Sequence, residues 1–143
     1  MAPTHVLVPL DGSPLADAAL THALETFDCR VTVLNVVTPL DDGMSEGGLV
    51  GAGEERRQQA HERAQRLVDR AERTATDLDR AVETAVDTGD PAETILAFVD
   101  GTDVDHIVMG GHGRDESTLV DRLLGTVATA VVSEAPVTVT VVR

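Results

Sequence analysis

Five short apolar runs, separated from one another by segments of helical period, constrain this chain more than any other feature. The first, His5-Val-Leu-Val-Pro-Leu10, is closed by Asp11-Gly12-Ser13-Pro14. Short apolar runs bounded by turn residues read as buried strands. Ser13 followed by Pro14 marks a helix start, because a hydroxyl suits the N-cap and a fixed φ suits the first helical position. Leu15, Ala18, Ala19, Ala23, Leu24 and Phe27 then recur at helical spacing. A second strand is expected over Val31–Val37, followed by a glycine-rich, aperiodic loop over residues 39–53. A long helix is expected from Glu54 to about Leu78, with Ala60, Ala64, Leu67, Val68, Ala71 and Ala75 as its apolar stripe. The remaining strands are expected over Ala81–Asp87, Asp105–Gly110 and Val137–Val142. Between them, Gly89-Asp90-Pro91 and Gly125-Thr126 open two more helices, the last running to about Ser133. This alternation predicts one α/β domain over residues 1–143, built on a parallel sheet.

Composition narrows what such a domain does. At 143 residues it buries roughly two thirds of its unfolded surface, enough for a core without staples. With two Phe and neither Trp nor Tyr, that core is aliphatic, and no stacking platform for single-stranded nucleic acid exists. The formal net charge is -14, and all 11 basic residues are Arg. So negative a surface disfavours a phosphate-backbone partner. Without Lys there is no Walker A loop, Schiff-base chemistry or protein-kinase site. The single Cys29 excludes an internal disulfide and reads as packing, and no Cys/His set has zinc spacing. The apolar runs are too short to span a membrane, and a first strand at His5 leaves no room for a secretory leader. A cytoplasmic protein is expected. The acids are scattered rather than gathered in a tail, as on proteins adapted to molar salt. The melting temperature is therefore expected to fall sharply on dilution from molar KCl.

Candidate ligand groups stand at the C-terminal ends of strands, where open α/β sheets bind. They are Asp11 after the first strand, Val36 in the second, and Gly110-Gly111-His112-Gly113 after the fourth. Glycines let a backbone approach a ligand closely and turn N–H groups toward it. Gly125-Thr126-Val127 adds the free amides of a helix N-terminus, an anion site that needs no Lys. Arg114 and Arg122 lie nearby in sequence. Taken alone, a glycine after a strand is more often a tight turn than a phosphate cradle. The Arg residues of the long helix, interleaved with acids at i,i+4, read as a solvated face rather than an anion site. His112 reads as a solvent-facing turn residue, and the other four His form no cluster visible in their spacing. No general base is clearly positioned and no metal triad is evident, so no catalytic residue is assigned. A response-regulator receiver is excluded by the missing Lys and acidic pair.

The ordered set Val6-Leu-Val-Pro-Leu-Asp11-Gly-Ser13, Gly89-Asp-Pro-Ala92, Ile107-Val-Met-Gly-Gly-His-Gly-Arg114, Leu123-Leu-Gly-Thr-Val127 and Ala135-Pro-Val-Thr-Val139 resembles the universal stress protein family, in its small single-domain form. The resemblance spans nearly the whole chain. It implies a three-layer doubly wound sheet in the order 3-2-1-4-5, with the switch point between the first and fourth strands. It also implies ATP or another adenine nucleotide held through a G-x2-G-x9-G-[S/T] stretch. Pro9 and Asp11 would then border the adenosine, and Val36 would meet adenine through its backbone. Gly110, Gly113, Arg114, Gly125, Thr126 and Val127 would hold the phosphates. Here eleven residues, not nine, separate Gly113 from Gly125. A bulge absorbs two residues at little entropic cost. Asp115 and Glu116 within that stretch would weaken phosphate binding unless Arg114 or a Mg or Mn ion offsets them. A homodimer through the uncharged edge strand Val137–Val142 is also implied. Two rival readings stand beside this one: a dimeric interaction protein without nucleotide, which the longer spacing favours, and a slow ATPase or phosphotransferase.

Overall fold

The computed structural model describes residues 2–39, 50–112 and 124–143. The strands are β1 (His5–Leu10), β2 (Arg30–Val37), β3 (Glu83–Thr88), β4 (His106–Gly110) and β5 (Thr138–Val142). The helices are α1 (Pro14–Thr26), α2 (Val50–Asp77), α3 (Pro91–Asp100) and α4 (Thr126–Glu134). All strand pairs are parallel, in the order β3-β2-β1-β4-β5. This is the doubly wound order that the resemblance implied, with β1 and β4 flanking the switch point.

The two-residue period of the central strands sorts side chains between two cores. Val6, Val8, Val31, Val33 and Val108 pack with Ala16, Ala19, Leu20 and Ala23 of α1 and with Ala71 and Ala75 of α2. Leu7, Leu34, Ile107 and Met109 pack on the other face with Ile95 and Val99 of α3 and with Ala128 and Val131 of α4. The alanines bring α1 and α2 close to the sheet, which is how a core without large rings reaches native density. Ser13 Oγ caps α1 by accepting from the Ala16 N–H at 3.2 Å, and Asp90 caps α3 by accepting from the Glu93 N–H at 3.0 Å. α1 ends against Arg80, whose guanidinium donates to the carbonyls of Leu24, Phe27 and Cys29. A cation there satisfies carbonyls that the helix leaves open and complements its dipole.

Two boundaries differ from the sequence reading. α2 begins at Val50 rather than Glu54, so residues 50–53 of the expected loop are helical. A glycine in a helix costs only about 1 kcal/mol, which a helix of this length absorbs. β3 runs over Glu83–Thr88 rather than Ala81–Asp87. Asp79 turns the chain with φ +57, and Val82 packs against the core before the strand enters the ladder at Glu83.

At the N-terminal edge of the sheet lies a polar network that the spacing of the histidines did not reveal. His5 is buried, its Nδ1 lying 2.6 Å from Asp103 Oδ1 and its Nε2 2.7 Å from Thr32 Oγ1. Arg30 bridges Glu83 and Asp103, and Asp105 accepts from the backbone N–H groups of Thr4 and His5. His106 lies 2.8 Å from Thr140 Oγ1 and against the Phe27 ring. Hydrogen bonds from His5, from Arg30 and from the Thr4 N–H hold the carboxyls of Asp103, Glu83 and Asp105, respectively, below their ordinary range. Burial lowers the His106 imidazole from its ordinary 6.5. In each case the unfolded chain binds protons more readily than the folded one, so stability falls as pH falls. The urea midpoint is expected to drop in two stages. The first, below about pH 6.5, comes from His106; the second, below about pH 4.5, from the carboxylates. His106→Gln should remove the first stage and leave the second; a midpoint independent of pH between 7 and 3 would contradict the assignment.

Candidate functional site at the switch point

The turn that leaves β1 is fixed by its own side chains. Asp11 Oδ1 accepts from the Ser13 N–H at 2.9 Å, and Gly12 takes φ +85, where a side chain would be strained. The Asp11 side of this turn is exposed, whereas Ser13 is buried beneath it. Half of the Asp11 carboxylate is thus committed to the turn. Its second oxygen takes no part in that bond.

Close backbone packing joins this turn to the end of β4. A Cβ on Gly110 would lie 2.9 Å from the Leu15 carbonyl carbon and 3.0 Å from the Ala16 nitrogen. The first turn of α1 therefore rests directly on Gly110. The β1–β4 register couples Val6 with His106 and Leu7 with Ile107, toward the N-terminal ends of the two strands. Gly111 then donates to the Val142 carbonyl at 2.8 Å and accepts from the Gly125 N–H at 2.6 Å. A Cβ on Gly125 would lie 3.1 Å from the His112 Cα. This contact seats the N-terminus of α4 against the glycine turn after β4. Gly125 is the N-cap of α4 and makes no side-chain cap bond, and there is no acidic residue in the first turn. The amides of Thr126, Val127 and Ala128 open the helix, where orphan donors and the dipole favour an anion.

The structure thus sets Gly110 against the start of α1, which follows Asp11, and sets Gly125, ahead of Thr126 and Val127, against the turn after β4. Pro9 lies half-buried in β1, and Val36 lies half-buried in β2 with its side chain in the core on the α3 and α4 face. Gly113 and Arg114, and with them Asp115, Glu116 and Arg122, lie outside the described residues. His112 is half-buried rather than solvent-facing, because α4 docks against its backbone. Cys29 packs against the core, and burial pushes its thiol up, in keeping with a packing role. Arg70 of α2 pairs with Asp17 of α1 at 3.1 Å, so part of the Arg face ties two helices together. Among the described residues, no three His, Cys, Asp or Glu side chains gather as a metal site, and no helix is long and apolar enough to cross a membrane. An open trough of about 570 Å3 runs along the outer side of α3, from Asp87 to Thr102. Its lining mixes acids and threonines with Ala97, Phe98 and two glycines, and it shares no residue with the glycine junction. Asn35 is the residue of this region that the sequence reading missed: it is buried, and its Nδ2 donates to the Leu10 carbonyl at 2.8 Å. An Asn among valines and a leucine near the end of the strand was the available signal.

Strand order defines a doubly wound α/β domain, in which the N-terminus of α4 is seated on the turn that leaves β4 beside the switch point. The chain belongs to the universal stress protein family, whose profile matches residues 3–143. Among solved structures it is similar to the universal stress protein UspA from Lactobacillus plantarum, at 25% identity and a TM-score of 0.83 over 100% of this chain and 99% of that one. Two further structures share the fold at 19% identity. One is a universal stress protein in complex with cAMP, with a TM-score of 0.70, covering 100% of this chain and 98% of that one. The other is a family protein from Arabidopsis thaliana with AMP bound, with a TM-score of 0.69, covering 98% of this chain and 91% of that one. No curated protein sequence matches the chain.

Proposed function

We propose that this protein is a cytoplasmic universal stress protein that binds ATP or another adenine nucleotide at the switch point and acts as a dimeric regulatory module rather than as an enzyme. The observation that carries this reading is the seating of Gly125 on Gly111 and His112. It aligns a helix N-terminus with a glycine turn, a phosphate cradle that needs no Lys. The cAMP and AMP of the two structural relatives support the adenine nucleotide class. Pro9 and Asp11 would border the adenosine, Asp11 accepting from ribose or base through its second oxygen. The Val36 backbone would meet adenine. Gly110, Gly125, Thr126 and Val127 would hold phosphate, with Gly113 and Arg114 completing the set. A Mg or Mn ion would accompany the nucleotide, offsetting the charge of its phosphates.

β5 is an edge strand without charge before Arg143, and pairing of two such edges would give the symmetric dimer. The acidic surface fits a cytoplasm of molar salt. Calorimetry in molar KCl with ATP, ADP, AMP and cAMP, and light scattering on the same sample, test both halves of the reading. Measurable heat with at least one nucleotide and a mass of two chains are expected. No heat with any of the four would replace this reading by the interaction protein without nucleotide, which the eleven residues between Gly113 and Gly125 favour. A single-chain mass would remove the dimer. Phosphate released by the protein at a rate proportional to its concentration would turn the reading toward a slow ATPase.

A further inference from the structure

The β1–α1 turn is held from outside itself by one side chain of β2. Asn35 lies opposite Leu10 in the β1–β2 register and shares the strand face of Val31 and Val33, which pack against α1 and α2. Only 7% of its surface is exposed. A buried amide in such surroundings persists when it is hydrogen-bonded, and here Nδ2 donates to the carbonyl of Leu10, the last residue of β1. The next residue is Asp11. From that point the fixings are internal to the turn: Asp11 Oδ1 on the Ser13 N–H, and Ser13 Oγ on the Ala16 N–H. Asn35 thereby fixes the peptide plane from which the Asp11 carboxylate is launched. The next residue on β2 is Val36, whose backbone forms the other wall of the proposed adenosine site.

We propose that Asn35 is a positioning residue for nucleotide recognition, holding the β1 terminus so that the second oxygen of Asp11 faces the ligand. This rests on the adenine nucleotide reading above. Asn35 itself touches no ligand: it acts through Leu10 and Asp11. The effect on the turn precedes any ligand, so it is legible in the ligand-free protein. Asn35→Leu keeps the branched four-atom skeleton of the side chain, though not its volume, and removes the donor. Thr32→Val, on the same strand, removes the hydroxyl that faces His5 at the far edge of the sheet, a loss of similar kind far from the turn.

The test combines amide hydrogen exchange of the ligand-free proteins with AMP titrations. In Asn35→Leu the Ser13 amide should exchange about tenfold faster and AMP should bind about tenfold more weakly. In Thr32→Val both quantities should stay within about twofold of wild type even as its melting temperature falls. Asn35→Ser, whose hydroxyl is too short to reach Leu10, repeats the measurement should the leucine variant fail to fold. Unchanged Ser13 exchange in the Asn35 variants overturns the hold on the turn. Faster exchange with unchanged AMP affinity overturns its role in positioning Asp11. A wild-type protein that binds no adenine nucleotide overturns the nucleotide reading instead, and Ser13 exchange then still reports whether Asn35 holds the turn.

Discussion

Replacing Gly110 by Ala is expected to destabilise the protein by about 1–3 kcal/mol, with or without nucleotide. The added methyl would lie 2.9 Å from the carbonyl carbon and Cβ of Leu15 and 3.0 Å from the Ala16 nitrogen. Backbone does not yield as the tip of a flexible side chain does, so the first turn of α1 must lift from the end of β4. Ser13 and Asp11 would move with it, because both are hydrogen-bonded within the same turn. For a domain of this size, that loss amounts to a few degrees in melting temperature per kcal/mol. Denaturant titration of the two proteins checks it. A midpoint equal to wild type would mean that Gly110 is not needed for packing, leaving ligand contact as its reason. The expected result gives Gly110 a structural role in addition to any phosphate contact.

Replacing Gly125 by Val is expected to weaken adenine nucleotide binding by at least about tenfold while lowering stability by about 1–2 kcal/mol. The new Cβ would sit 3.1 Å from the His112 Cα and 3.4 Å from the Gly111 carbonyl oxygen, and the branched side chain adds bulk beyond it. α4 must then draw back from the glycine turn, and the 2.6 Å bond from the Gly125 N–H to Gly111 lengthens or breaks. The amides of Thr126 and Val127 move away from the end of β4, so phosphate would lose one wall of its cradle. Calorimetry with AMP and ATP, paired with thermal melts of the ligand-free proteins, separates the two effects. Binding within twofold of wild type, in a variant that folds, would falsify the proposed site at this junction. The two glycines thus part company: Gly110 is read chiefly by stability, Gly125 chiefly by affinity.

Much of this architecture was legible in one sequence because it is written in short-range patterns. Asp11-Gly12-Ser13-Pro14 announces a strand end, an Asx turn and a capped helix within four residues. Gly89-Asp90-Pro91 does the same for α3. The start of α2 was not legible, because glycines at 51 and 53 mimic a loop when the helix they extend is ignored. The start of β3 was misplaced because Val82 is apolar for a tertiary reason: it packs on the core while the chain is still approaching the sheet edge, and Ala81 beside it is exposed. The His5–Asp103–Arg30–Glu83 network joins residues up to 98 positions apart, and no spacing rule reaches that far. Arg80 closes the C-terminus of α1 from more than 50 residues away, a contact that no local pattern announces.

The sequence by itself determined the alternation of strands and helices, their caps, an aliphatic core and the residue types available at the strand ends. These follow from periodicity and local backbone chemistry, which act over a few residues. Tertiary structure decided which of those strand ends meet. Parallel pairing of β4 beside β1 sets α1 on Gly110, and the return of the chain along β5 and α4 brings Gly125 onto Gly111 and His112. It also turned an isolated Asn35 into a pin on Leu10. The physical reason is that a backbone contact of 3 Å depends on helix packing across the whole sheet. A glycine in the sequence permits such a contact, but only the packed helices and strands bring the second backbone to it.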